Sequence, residues 1–248
     1  MTSPSKLPVP KSDAPPGDVP RIADLLRSLE PHVDAPRDTP EPDGVRRDSK
    51  EAARRRAQIL RAAIAVFAER GFPKTRVSDI AKKAGVAYGL IYHYFDSKEA
   101  VLLSVFDDAW RVFVKALHQI ADDGARSAPD KLAGAADFLV EALRVEPTVV
   151  QVLIQEISRS ERFTLPGKRE AFDVIRAIVA EGQARGELQP DVDPQIAAYL
   201  YFGALETLAS SFISKRFTLT TDAEAEALKR SVRRILLDGL RARPRAEP

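Results

Sequence analysis

Tyr92, His93 and Tyr94 stand in a row, and Lys98 follows close behind them. Phenol, imidazole and ammonium groups are donors suited to phosphate oxygens and base edges. They lie in the stretch GFPKTRVSDIAKKAGVAYGLIYHYFDSK, residues 71–98. Two short helical patterns there are joined by a turn at Ala84-Gly85-Val86. That is the layout by which a small domain presents one helix to a DNA major groove and clamps the backbone beside it.

The elements that must carry these groups follow from apolar spacing. Val77, Ile80, Ala81 and Ala84 fall at i, i+3, i+4 and i+7, one face of a first helix, with Thr75 before it as a candidate N-cap. Gly85 sits where the chain must turn sharply, and glycine accepts positive φ there. Val86, Ile91 and Phe95 can anchor the second helix, which leaves Ala87, Tyr88, Leu90, Tyr92, His93 and Tyr94 with faces that need not be buried. Asp96 and Ser97 are N-cap types at the start of a further helix, whose free N–H groups together with Lys98 favour a phosphate. Upstream, Leu60, Ala63, Ile64 and Phe67 form the apolar stripe of a helix from about Glu51 to Arg70.

Charge supports a nucleic-acid partner. Residues 46–98 hold 13 Lys/Arg against 5 Asp/Glu, a net of +8, whereas the whole chain of 248 residues nets +2. The positive charge is therefore gathered in one segment. Arg54 and Arg55 are either phosphate contacts or the solvated face of that helix. Arg46 and Arg47 can equally follow a groove as a flexible arm.

A helix-turn-helix pattern alone occurs in many bundles. Here RRRAQILRAAIAVFAERGF followed by TRVSDIAKKAGVAYGLIYHYFDSKEAVL resembles the N-terminal domain of TetR-family transcriptional regulators over about 50 residues without a gap. The resemblance implies an all-α homodimer that binds a near-palindromic operator, usually as a repressor. It implies phosphate contacts from Tyr92, Tyr94 and Lys98, with Thr75 as cap, phosphate ligand or both. It implies a backbone or base contact from His93, and groove contacts from Ala87, Tyr88 and Gly89. Tyrosine at 88 and leucine at 90 depart from the family's usual small or polar residues. Leu90 is free to meet a thymine methyl or to be buried, and base preference is not legible.

Beyond Lys98 helices continue: Ser97 to Ile120, Pro129 to Val145, Pro147 to about Arg159, Pro166-Gly167 to Arg185, a long apolar helix after Asp193-Pro194, and Asp222 to about Arg241. The string EGQARGELQPDVDPQIAAYLYFGALETL resembles the C-terminal half of the same family, whose last two helices form the dimer interface. By that resemblance Tyr199, Phe202, Gly203, Leu205 and Leu208 supply the interface with the stripe Leu228, Val232, Ile235, Leu236 and Leu240. Periodicity alone does not separate dimer face from internal core.

The resemblance also implies a switch, in which a small molecule enters this bundle, tilts the helix after Lys98 and releases the operator. Trp110, Phe113, Phe138, Leu153, Phe172 and Tyr199 are candidate pocket walls, each equally readable as ordinary core. VVQVLIQEISRSERF with the later strings is most similar to the regulators of fatty-acid degradation, which implies a long-chain acyl-CoA effector. Arg159, Arg162, Lys168 and Arg169 would then meet the CoA phosphates or simply form a solvated surface. A drug-like or aromatic effector is the rival.

The expected organisation is therefore a Pro-rich extension (1–45), a helix-turn-helix DNA-binding domain (46–98), an effector-binding and dimerisation domain (99–243) and a tail (244–248). Ten of the 18 prolines lie in residues 1–45, which net −3 and read as disordered except for the amphipathic RIADLLRSLE. No cofactor or metal site is expected. His32, His93 and His118 are far apart, cysteine is absent, and no phosphate loop, HExxH or GxSxG occurs, so an enzyme is not expected. No apolar run is expected to reach the ~18 residues of a membrane span. The N-terminus has no hydrophobic signal core, and the expected location is the cytoplasm. An effector-independent architectural DNA-binding protein is the alternative function.

Overall fold

The computed structural model describes residues 43–157 and 166–238, and every regular element among them is an α-helix. The helices are α1 (Asp43–Arg70), α2 (Val77–Ala84), α3 (Tyr88–Tyr94), α4 (Lys98–Ala121), α5 (Ala128–Val145), α6 (Pro147–Ile157), α7 (Pro166–Ala184), α8 (Pro194–Ile213) and α9 (Asp222–Leu237). Helix α1 begins at Asp43 rather than near Glu51, so Arg46 and Arg47 belong to a helix and not to an arm. The amphipathic RIADLLRSLE, Arg159, Arg162 and Leu240 lie outside the described residues.

Helices α1–α3 and the first half of α4 close one core. Ile59, Ala63, Phe67, Ile80, Ile91, Phe95, Val101, Leu102 and Phe106 are buried together there. Gly85 ends α2 at φ +67°, and its N–H donates to the Lys82 carbonyl at 3.2 Å. An L side chain is strained in that left-handed region, so the tight turn between α2 and α3 depends on glycine. Ser97 caps α4 by accepting the Ala100 N–H at 3.0 Å.

Helix α2 corrects one expectation. Its N-cap is Arg76, whose N–H donates to Asp79 Oδ2 at 3.0 Å, not Thr75. Thr75 is buried and donates its hydroxyl to the Gly71 carbonyl at 2.9 Å, which braces the α1–α2 turn.

The second half of α4 packs with α5, α7, α8 and α9 around Leu117, Leu132, Ile175, Ile178, Ala198, Tyr201 and Leu205. Gly182 is required by close approach, since a Cβ there would lie 2.4 Å from that of Ala128. Helix α8 overturns the expectation about apolar runs, because Pro194–Ile213 is long and apolar enough to cross a membrane. Its bundle role explains part of that composition. Ala197, Ala198, Tyr201, Phe202, Leu205 and Ala209 are buried, and the Tyr201 hydroxyl donates to the Leu132 carbonyl at 2.6 Å. Burial pushes the Tyr201 phenol above its ordinary range.

Candidate nucleic-acid interface and effector cavity

Helix α3 is anchored by its apolar side and free on the other. Ile91 and Phe95 are buried, whereas Ala87, Tyr88, Gly89, Tyr92 and His93 are exposed. Tyr94 sits between these groups. It packs partly on the core and meets the His93 ring edge-on at 5.2 Å. Tyr88 and Tyr92 are 54% and 45% exposed, large values for aromatic residues on one face of a two-turn helix. Their rings meet edge-on at 5.3 Å and their hydroxyls lie 3.0 Å apart. That hydrogen bond raises the Tyr92 phenol above its ordinary pKa. A Cβ at Gly89 would meet no protein atom within 4 Å. The fold does not ask for glycine there, so its smallness can serve a partner that approaches closely.

Lys98 does not project freely. Its ammonium donates to the carbonyls of Phe72 at 2.9 Å and Thr75 at 3.0 Å, and lies 4.3 Å from the centre of the Phe72 ring. It locks the start of α4 to the α1–α2 turn, and one of its three N–H bonds remains for a phosphate. Thr75, with a buried and engaged hydroxyl, is not placed to donate one. Arg54 and Arg55 pair with Glu51 on their own helix. Arg56 instead reaches Asp108 of α4 at 3.1 Å and lies over the Phe95 ring at 5.6 Å, which ties the end of α3 to α4.

A second feature lies in the bundle. A cavity of about 140 Å³ opens among α4, α5, α6 and α8, and its wall is almost wholly apolar. Four of the six expected wall residues line it: Trp110, Phe113, Phe138 and Leu153. Phe172 and Tyr199 do not. Phe172 lies tilted against Phe202 at 4.2 Å and meets Tyr199 edge-on at 5.2 Å, and Phe172 and Tyr199 face an outer groove on α7 and α8. Sequence reasoning missed Ala142 and Ala209, small residues on apolar helix faces that leave the space open. It also missed Gly167, where a Cβ would fall 2.5 Å from Trp110 Cβ, so that the glycine seats Trp110 against α7.

The cavity meets charge at Glu146 and at a Lys168–Glu206 pair. Lys168 lies on its wall with Glu206, Nζ to Oε2 3.7 Å, and Lys168 also lines the outer groove with Arg169 and Arg176. Phe202 and Leu205, expected on the dimer face, are buried within the protomer, and Leu205 borders the cavity. The exposed face of α8 is Ile196, Tyr199, Leu200, Gly203 and Thr207, which keeps Tyr199 and Gly203 of the expected set, and Ile235 of α9, also expected there, is 75% exposed.

Residues 59–105 match the family described as bacterial regulatory proteins, tetR family. The chain is 29% identical over 189 residues to the fatty acid metabolism regulator protein of Bacillus subtilis, covering 74% of this chain and 94% of that one. It is 32% identical over 154 residues to the HTH-type transcriptional repressor KstR2 of Mycolicibacterium smegmatis, covering 58% and 72%. Among solved structures, the fold is similar to the fatty acid degradation regulator FadR of Bacillus halodurans (TM-score 0.65, 29% identity, 74% of this chain and 98% of that one). It is equally similar to FadR of Bacillus subtilis in complex with stearoyl-CoA (TM-score 0.65, 28% identity, 73% and 97%).

Proposed function

Because the chain belongs to the tetR family of bacterial regulatory proteins, a family of DNA-binding transcriptional regulators and not of enzymes, we propose that it is a homodimeric repressor released from a near-palindromic operator by a long-chain acyl-CoA. Residues 46–98 are the DNA-binding unit in this reading and residues 99–243 the effector and dimer unit. A repressor of this kind works on DNA in the cytoplasm.

The observation that carries the effector class is the cavity. An apolar wall suits an alkyl chain, and burial of each methylene is favourable by about 0.8 kcal/mol. Lys168, at the border between this cavity and a groove with Arg169 and Arg176, suits an anionic head outside it. The bound stearoyl-CoA of the Bacillus subtilis relative supports the same class. On α3, Ala87, Tyr88, Gly89 and His93 meet the groove, while Tyr92, Tyr94 and the remaining Lys98 N–H hold phosphates. A second molecule covers Ile196, Tyr199, Leu200 and Ile235.

The test is a thermal-shift screen of the full chain against stearoyl-CoA, free stearate, CoA, a ketosteroid and aromatic drugs, followed by release of bound DNA fragments. Selective stabilisation by stearoyl-CoA together with DNA release is the expected result. Release by an aromatic drug and not by stearoyl-CoA would overturn the effector class. Uniform coating of DNA, with no paired half-sites in a footprint, would favour an architectural protein.

A further inference from the structure

Helix α6 is shared between the two units. Val149, Val150, Leu153 and Ile154 line the cavity. Val152, 1% exposed, is buried in the core of the DNA-binding unit, and Leu153 packs against that core as well. Among the described side chains of α6, Gln151 makes a polar bond across the boundary: its Nε2 donates to the Ala68 carbonyl at 3.1 Å.

The acceptor explains why this bond matters. Ala68 lies in the last turn of α1, where carbonyls find no donor further along their own helix. The Phe67 carbonyl is met by the Gly71 N–H at 2.8 Å, but that of Ala68 is met by a side chain from the other unit. The turn that follows is the one held by Lys98 at Phe72 and Thr75. From α6, therefore, one hydrogen bond reaches the end of α1, and the turn four residues further along the backbone is tied by Lys98 to the start of α4, on either side of α2 and α3.

We propose that Gln151 is a positioning residue through which the state of the cavity sets the pose of the DNA-binding unit. The proposal rests on the reading of the cavity as the effector site. A ligand that fills the space displaces Val150, Leu153 and Ile154, and α6 moves as one rigid helix. A shift of about half an ångström carries the 3.1 Å bond beyond hydrogen-bond reach and frees the end of α1. The occupied and empty states then differ in this bond, which is what an effector needs in order to bias them.

The experiment is a double-mutant cycle that needs no effector. Ala142→Leu on α5 fills the cavity without touching the Gln151 bond itself, and Gln151→Leu removes the donor while keeping the bulk. Binding to a DNA fragment selected from random sequence is read together with amide exchange of residues 68–76. Ala142→Leu is expected to weaken DNA binding about tenfold in the native background and about threefold or less with Gln151→Leu, because the route is already cut. Gln151→Leu alone is expected to speed exchange of the 68–76 amides about fivefold. Equal effects of Ala142→Leu in both backgrounds, or no effect in either, would overturn the proposal. Ala209→Val on α8 repeats the cycle if Ala142→Leu does not fold. Wild-type protein is also titrated with stearoyl-CoA. Failure of that ligand to release DNA would refute the effector class, whereas the coupling measured by the cycle stands or falls separately.

Discussion

The DNA-binding unit and the bundle behind it are built from the same kind of helix but, in the function proposed above, work in opposite ways. In the first, large side chains fill the core, and Tyr88 and Tyr92 stand outside on α3, in contact with each other. In the second, the working feature is a space, held open where Ala142 and Ala209 face larger apolar groups. A surface can act by what projects from it. A cavity acts by what its walls leave out, so its packing is incomplete by design and its cost in stability is the cost of missing contacts.

The sharpest way to break this contrast is a pair of truncations. Phe67 is 1% exposed in the filled core, and Phe67→Ala is expected to cost about 3–5 kcal/mol. Phe138 already borders open space, and Phe138→Ala is expected to cost roughly half as much, because fewer contacts are lost. Chemical denaturation measures both. Equal losses would mean that the cavity wall is packed as tightly as the other core.

Lys98 tests whether the filled unit also relies on polar ties. Lys98→Met leaves the Thr75 carbonyl without its donor and the Phe72 carbonyl with the Thr75 N–H alone, and a loss of about 1–3 kcal/mol is expected. DNA binding is expected to weaken for all sequences alike, with the salt slope reduced by about one. An unchanged slope with lower stability would make Lys98 purely structural.

These outcomes bear on what a sequence can and cannot reveal. The order α1–α4, the Gly85 turn, the Ser97 cap and the exposed face of α3 are legible, because each depends on residues within a few positions of one another. Thr75 reads as a cap and is a brace, since both use the same hydroxyl and only tertiary position separates them. Phe172 and Tyr199 read as cavity wall and face outward, because an aromatic on an apolar helix can face either side of it. Gln151 carries no local signal at all, as its partner Ala68 is 83 residues away.

Gly89 sharpens the surface half of the comparison. Alanine is the better helix former by roughly 1 kcal/mol, and its Cβ would meet no protein atom. Gly89→Ala is therefore expected to hold or raise the melting temperature while lowering affinity for the selected DNA roughly tenfold, the scale of one lost base contact. Unchanged affinity would remove Gly89 from the groove.

The smallest effect distinguishes how each unit fastens a helix end. Both use a carboxylate three residues into the helix. Asp79 accepts the Arg76 N–H in α2, and Glu224 accepts the Thr220 hydroxyl and the N–H groups of Thr220 and Thr221 in α9. The Thr220 and Thr221 bonds hold the Glu224 carboxyl down to about 2, against 4.5 for an ordinary one, whereas Asp79 is lowered chiefly by its single backbone bond. A depressed folded-state pKa means that the stabilisation is complete above the unfolded value and is lost as pH falls towards the folded one. Glu224 is thus expected to withdraw its support of α9 between about pH 4.5 and pH 2. Glu224→Gln should lower stability slightly at neutral pH and flatten the acid limb of the unfolding curve in that window, as read by thermal melts at a series of pH values. If α9 supplies the dimer face through Ile235, the dimer should loosen over the same pH range, and the variant should remove that dependence too. Dimer strength that falls equally steeply in the variant would assign the acid sensitivity to other carboxylates, with Asp79 in the DNA-binding unit the next to test.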